Sequence, residues 1–333
     1  MEGPRPIFRI QGLSTCPPPG RAGRFFRLAR KPALSIEGPF ALEPWRMYAV
    51  VGKSGCGKTV LNSLFMGFPA FNLRDSGAAC SFFGVEIPSA AFRSRAAVAR
   101  AWGRVRRRGV LLYLPQQLPD GRGFDMSVRE YYLQVAAALL RICGERRAPE
   151  DVLSLFAGGG SLGALAAPLR ARLDRPLNQL SGGERRRIEL IARLYALREL
   201  PKDRPALLVL DEPTTGLDVP GVYGYMAALK SCFETDVGGN AAILVTTHDL
   251  QLLSDEAVFD AVVLVRKHED AARGIVCEVS DPIPLGRLNA AWIAPAYGGL
   301  PSAWAAFLEE QASYAPGQFR TACARWLGEE AAS

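Results

Sequence analysis

Residues Gly52-Lys53-Ser54-Gly55-Cys56-Gly57-Lys58-Thr59 spell G-x-x-x-x-G-K-T directly behind the apolar run Met47 to Val51. Glycines at such spacing let backbone N–H groups converge on phosphate oxygens without Cβ clashes. A helix that starts inside the loop adds the partial positive charge of its N-terminus. Lys58 can then reach the β- and γ-phosphates of a nucleotide, and the Thr59 hydroxyl can ligate Mg²⁺. Downstream, Leu207-Leu208-Val209-Leu210-Asp211-Glu212 places two carboxylates at the mouth of a buried strand. Asp211 suits a Mg²⁺ shell, directly or through water, and Glu212 is positioned to polarise an attacking water as general base.

Leu180-Ser181-Gly182-Gly183-Glu184 opens a further helix running to about Leu200. Ser181 and Glu184 form the S-x-x-E capping box that sets where it starts. The two glycines leave that N-terminus open to an anion, although one copy of the chain offers none to hold. In sequence order Gln116 lies between the phosphate loop and this helix, and Asp218 and His248 follow the carboxylates. The phosphate loop with this ordered set predicts ATP binding and hydrolysis.

The elements that must carry these groups are legible from hydropathy. Met47 to Val51 reads as a short buried strand, and Val60, Leu61, Leu64 and Phe65 recur at helical spacing behind the loop. Gly109 to Leu114 reads as a further strand, and Ala206 to Leu210 and Ala241 to Thr246 are apolar runs followed by polar residues, as in central parallel strands with chemistry at their C-terminal ends. Residues 1–46 read as short strands around a loop at Cys16 to Gly20, where three prolines forbid regular structure. Met126 to about Leu173 reads as helical, broken at Gly158-Gly159-Gly160.

With 333 residues and 49% hydrophobic side chains, the chain can bury a large core. No apolar stretch approaches the ~18 residues of a membrane helix, and the N-terminus lacks the apolar core of a signal peptide. A cytosolic chain is expected, with any membrane role supplied by partners. Seven cysteines without C-x-x-C spacing and only two histidines argue against a zinc or iron–sulfur site and for free thiols. Cys56 stands apart because it lies inside the phosphate loop. The net charge of +7 is concentrated in residues 1–32 and in Arg93, Arg95, Arg100, Arg104, Arg106, Arg107 and Arg108. Such runs are solvated helix faces or contacts for anionic lipid or nucleic acid.

Over roughly residues 7–280, these motifs resemble the ATP-binding cassette ATPases. Gly52 to Thr59 is similar to that family's Walker A loop and Gln116 to its Q-loop glutamine, with Gln117 a neighbouring alternative. Leu180 to Glu184 is similar to the signature motif, with Glu184 where many members have glutamine. Asp211 and Glu212 match the Walker B aspartate and catalytic glutamate, Asp218 the D-loop, and His248 the switch histidine. The resemblance implies an α/β fold: a P-loop NTPase core with a mainly parallel sheet, an antiparallel N-terminal β subdomain and an α-helical subdomain, enlarged here, over about 118–185. It implies Gln116 near Mg²⁺ and Glu212, His248 and Gln116 in catalysis. It also implies a head-to-tail dimer in which Ser181, Gly182 and Gly183 of one copy complete the ATP site of the other, and it counts Asp218 among the nucleotide-binding residues. The usual aromatic for adenine stacking is missing near Ser14 to Pro17, and Phe25 or Phe26 is a possible substitute.

Two readings follow within the family. In the first, the chain is the ATPase subunit of a transporter, paired with a second cassette subunit and docked on transmembrane permease subunits at the inner face of the membrane. A homodimer is expected and a heterodimer is possible. Ser54-Gly55 in the loop, compact length and the lack of a long coiled coil support it. In the second, less favoured because one cassette and no C-x-x-C are present, a soluble cassette ATPase acts on nucleic acid. Residues 1–280 are expected to form the ATPase domain. Residues 281–333, an aromatic-rich extension, are a tail packed on it or an interface.

Overall fold

The computed structural model describes residues 5–16, 33–67, 72–73, 79–88, 91, 95–116, 125–138, 141, 149–157, 159–215, 219–237, 239–247, 252–253, 258–270 and 274–285. In chain order the strands and helices begin β1 (Phe8–Cys16), β2 (Ala33–Leu42), β3 (Met47–Val51), α1 (Lys58–Met66), β4 (Asn72–Leu73), β5 (Ala79–Phe82), β6 (Val85–Ile87) and α2 (Arg95–Arg108). They continue β7 (Val110–Leu114), α3 (Val128–Tyr131), α4 (Gly160–Ala166), α5 (Gly182–Arg198), β8 (Ala206–Asp211), α6 (Val219–Thr235), β9 (Ala241–Thr247), β10 (Ala261–Asp270), β11 (Gly274–Val279) and β12 (Ile283–Pro284). The chain divides into two compact units, one of Phe8–Leu42, Tyr48–Arg104 and Thr246–Ser333, the other of Met1–Ile7, Glu43–Met47 and Val105–Val245.

The first unit carries the phosphate loop. Its strands lie in the order β6-β5-β1-β2-β11-β10-β3. β1 pairs antiparallel with β2 and β5, whereas β10 pairs parallel with β3, Ala261 to Leu264 against Tyr48 to Val51. Along β1, Phe8, Ile10 and Leu13 are buried while Arg9 and Gln11 face solvent, the alternation of a one-sided sheet. β3 is buried at every position, as a strand covered on both faces must be. The Phe8 ring packs edge-on against Phe65 and Phe82, each at 5.0 Å. Trp102 Nε1–H donates to the Phe65 carbonyl at 2.8 Å. Each such buried ring contributes about 1.5–3 kcal/mol, and together they pin α1, and with it the loop, to the antiparallel strands.

In the second unit, strands β9, β8 and β7 are neighbours in that order, and β7 runs parallel to β8, Val110 to Leu114 against Ala206 to Leu210. β8 and β9 are buried throughout, as their apolar runs require. The stretch predicted helical from Met126 is helical but fragmented. α3 passes into a π-helical turn at Tyr132–Ala136, and 3₁₀ segments occupy Pro149–Phe156 and Ala167–Arg172. Pro149, Gly159 and Pro168 interrupt what alanine and leucine would otherwise continue. α5 starts where the sequence placed it, with Ser181 Oγ accepting from Glu184 N–H at 3.2 Å and Glu184 Oε2 from Ser181 N–H at 2.9 Å. It ends at Arg198, slightly earlier than expected. The β10–β11 hairpin is not evident from sequence, because Arg266 to Glu269 are exposed and break the apolar run. Parallel core strands, an antiparallel N-terminal sheet and a helical region make the α/β class expected. No described helix is long and apolar enough to cross a membrane.

Candidate functional site

β3 delivers the phosphate loop and α1 closes it. Gly57 is the N-cap of α1 with φ +112°, a backbone region that L side chains rarely adopt, and a Cβ there would collide with the Cys277 side chain on β11. A Cβ on Gly52 would meet the Val265 carbonyl of β10 and Cys56 Sγ. The loop is therefore wedged against two neighbouring strands, and Gly52 and Gly57 are steric necessities. No acidic residue stands in the first turn of α1 and no side chain caps it, so its N-terminus stays open to an anion. Lys58 is buried and curls over the loop, donating from Nζ to the Gly52 carbonyl at 2.8 Å. Thr59 is exposed. Cys56 is buried, and burial raises its thiol pKa, with Lys58 pulling the other way. Cys56, Cys80, Cys232 and Cys277 are free thiols, as their spacing suggested.

The second unit holds the carboxylates. Asp211, the last residue of β8, is buried, and Tyr113 of β7 donates its hydroxyl to Asp211 Oδ2 at 3.0 Å. Burial, then the charge of Asp211 and this bond, push the Tyr113 phenol well above its ordinary pKa. Glu212 leaves the strand with φ +47°, a left-handed conformation that a non-glycine residue adopts at a cost. Its Oε2 accepts from Gln116 Nε2 at 2.6 Å. Gln116 is thus the glutamine that reaches the carboxylate, and Gln117 lies outside the described residues. Ser181 and Gly182 are exposed at the open end of α5. Asp218, His248, Phe25 and Phe26 and the extension beyond residue 285 also lie outside the described residues.

Sequence reasoning missed two members of this cluster. Arg186 of α5 is buried and donates through its two terminal nitrogens to the backbone carbonyls of Glu212 and Gln116. Tyr113 is the other. Neither side chain belongs to a recognisable spacing, and nothing in the sequence singles either one out. Taken separately, the anion cradle at the end of α1 in the first unit fits a polyphosphate, and the buried carboxylate beside a bonded carboxylate–amide pair in the second fits a hard divalent cation.

The comparisons agree with the polyphosphate part of that chemistry. A family model described as "ABC transporter" matches residues 39–215. The chain is 30% identical over 231 residues to the zinc import ATP-binding protein ZnuC of Cereibacter sphaeroides, covering 68% of this chain and 71% of that one. It is 31% identical over 219 residues to the Nod factor export ATP-binding protein I of Burkholderia thailandensis, covering 66% and 59%. In fold it is similar to a chain of a transporter assigned to the metal-chelate type of ABC transporters in an inward-facing conformation, with TM-score 0.55, 16% identity and coverage of 88% and 89%.

Proposed function

The chain belongs to the ABC transporter family, as an ATP-binding and ATP-hydrolysing subunit, and on that footing we propose how its residues divide the work. The triphosphate lies in Gly52 to Thr59, with Ser54, Gly55, Cys56 and Gly57 lining it and Lys58 turning from the Gly52 carbonyl toward the β- and γ-phosphates. Thr59, Asp211 and Gln116 would hold Mg²⁺, which when bound would neutralise charge developing on the phosphate oxygens. Glu212 takes the proton of the attacking water, and His248 and Asp218 serve the γ-phosphate side as their matched positions imply. Ser181, Gly182 and Gly183 complete the site of a second copy or of a homologous subunit. The pair docks on transmembrane permease subunits at the inner face of the membrane. The observation that carries this reading is Glu212, held in a left-handed conformation beside buried Asp211 with its carboxylate bonded to Gln116. Relatives named for import and for export support a transporter over a nucleic-acid enzyme.

The test is to tag the full chain at native expression level, solubilise whole cells in mild detergent, and identify what co-purifies with the Glu212→Gln protein in ATP. Multi-span membrane proteins in stoichiometric amounts are expected. Recovery of the chain alone, of soluble proteins or of nuclease-sensitive nucleic acid would overturn the transporter reading.

A further inference from the structure

We propose that Arg186 is the positioning residue through which α5 fixes the orientation of Glu212; the inference rests on the reading of Glu212 as general base. The guanidinium donates to the carbonyl of Glu212 through Nη1 and to that of Gln116 through Nη2, while the side chains of those two residues bond each other at 2.6 Å. The three residues close a ring: backbone to backbone through the arginine, side chain to side chain through amide and carboxylate. Fixing the Glu212 carbonyl fixes the peptide plane that follows it. At a left-handed residue that plane decides where the Cα–Cβ bond points, and with it the carboxylate. A neutral side chain of one donor group could not hold both carbonyls at once, whereas the planar fork of an arginine can.

A second arginine shows that the arrangement is built into the helix. Arg193 Nε donates to the Tyr113 carbonyl at 2.9 Å. Arg186 and Arg193 are seven residues apart, about 10.5 Å along a helix. The carbonyls they hold, Gln116 and Tyr113, are three residues apart at the end of β7, a span of at most about 10 Å. α5 therefore grips β7 and the segment beyond it at two matched points. Tyr113 in turn bonds Asp211, so both carboxylates are referred to the same helix. The N-cap of that helix is Ser181, five residues and about 7.5 Å of rise before Arg186. A ligand seated on Ser181 to Gly183 thereby acts on Glu212 through one rigid turn and a half. The guanidinium has only donors to offer, and the two main-chain oxygens accept from two of its nitrogens.

Arg186→Gln and Arg186→Lys, made in the full chain alone and with Glu212→Gln, test this. Turnover by phosphate release, ATP affinity by equilibrium dialysis and thermal midpoint are measured for each. Arg186→Gln is expected to lower kcat about 10²-fold, the cost of misplacing a reacting group by an ångström, with ATP affinity within about twofold of wild type. Arg186→Lys, which keeps the charge but offers a single nitrogen in place of the rigid planar fork, should be intermediate. In the Glu212→Gln background Arg186→Gln should cost nothing further, since both act through one group. Unchanged kcat, a parallel loss of kcat and affinity, or full additivity would overturn the inference. Should Arg186→Gln fail to fold, the kcat of Arg186→Lys at wild-type affinity decides. Wild-type turnover by Glu212→Gln itself would instead sink the general-base reading on which the inference stands.

Discussion

Tyr113→Phe removes one oxygen and leaves no cavity, so its effect isolates the bond to Asp211. A hydrogen bond to a charged acceptor is worth about 1.5–3 kcal/mol, and at 3.0 Å to a buried carboxylate this one belongs in that range. At pH 8 the variant should lose that amount, lowering the thermal midpoint by about 5 °C for a domain of this size. The pH dependence carries the sharper test. Below the unfolded phenol pKa of about 10, Tyr113 is protonated in both states and the gap is constant. Above it the unfolded phenol ionises, while burial and the Asp211 charge keep the folded one protonated. The unfolded state then binds fewer protons than the native state, so wild-type stability falls with rising pH, by at most about 1.4 kcal/mol per unit. Phenylalanine has no such loss. Titrations common to both proteins cancel in the difference, and Tyr113 is only half-buried, which damps the slope. The gap measured by urea unfolding should therefore shrink from pH 9.5 upward and vanish between about pH 11 and 12. No gap at pH 8 would mean that the bond contributes nothing; a gap that stays constant through pH 11 would refute the protonated, Asp211-facing phenol.

Three further outcomes are expected. Glu212→Gln keeps an acceptor for Gln116, so ATP affinity should stay within about twofold while kcat falls by about 10²–10⁴; phosphate release within fivefold of wild type would place the base elsewhere. Gly57→Ala forces a side chain to φ +112° and onto Cys277, and should cost at least about 2 kcal/mol by urea unfolding, with a neutral result showing that the loop can shift away from β11. Cys56, buried with its thiol pKa raised, should react with iodoacetamide far more slowly in the native chain than in urea. Once modified, the chain should no longer bind ATP, because Cys56 Sγ lies against Gly52; retention of binding after complete modification would separate the thiol from the loop geometry.

The phosphate loop, the S-x-x-E cap and the Asp211–Glu212 pair could be read in sequence because each is a local device. A glycine spacing, a residue pair three apart and a carboxylate after an apolar run are set by neighbours along the chain. The buried strands Met47–Val51, Ala206–Asp211 and Ala241–Thr247 were legible for the same reason, since continuous burial leaves a continuous apolar run. The fragmented helices after Met126 were less so, because glycine and proline breaks show where a helix can stop but not which turn type replaces it. Arg186, Arg193 and Tyr113 had no signature at all. Arg186 sits in a run of three arginines, and nothing in that run distinguishes the one that turns inward. Its partners lie 26 and 70 residues away in sequence. Sequence alone determined which groups are candidates to bind and cleave a phosphate anhydride, because a glycine loop, a helix cap and a carboxylate pair after an apolar run are set by local backbone geometry. The tertiary structure alone decided which side chains hold them in place, because a buried donor is selected by the carbonyls that packing brings to it, from segments that share no periodicity with it.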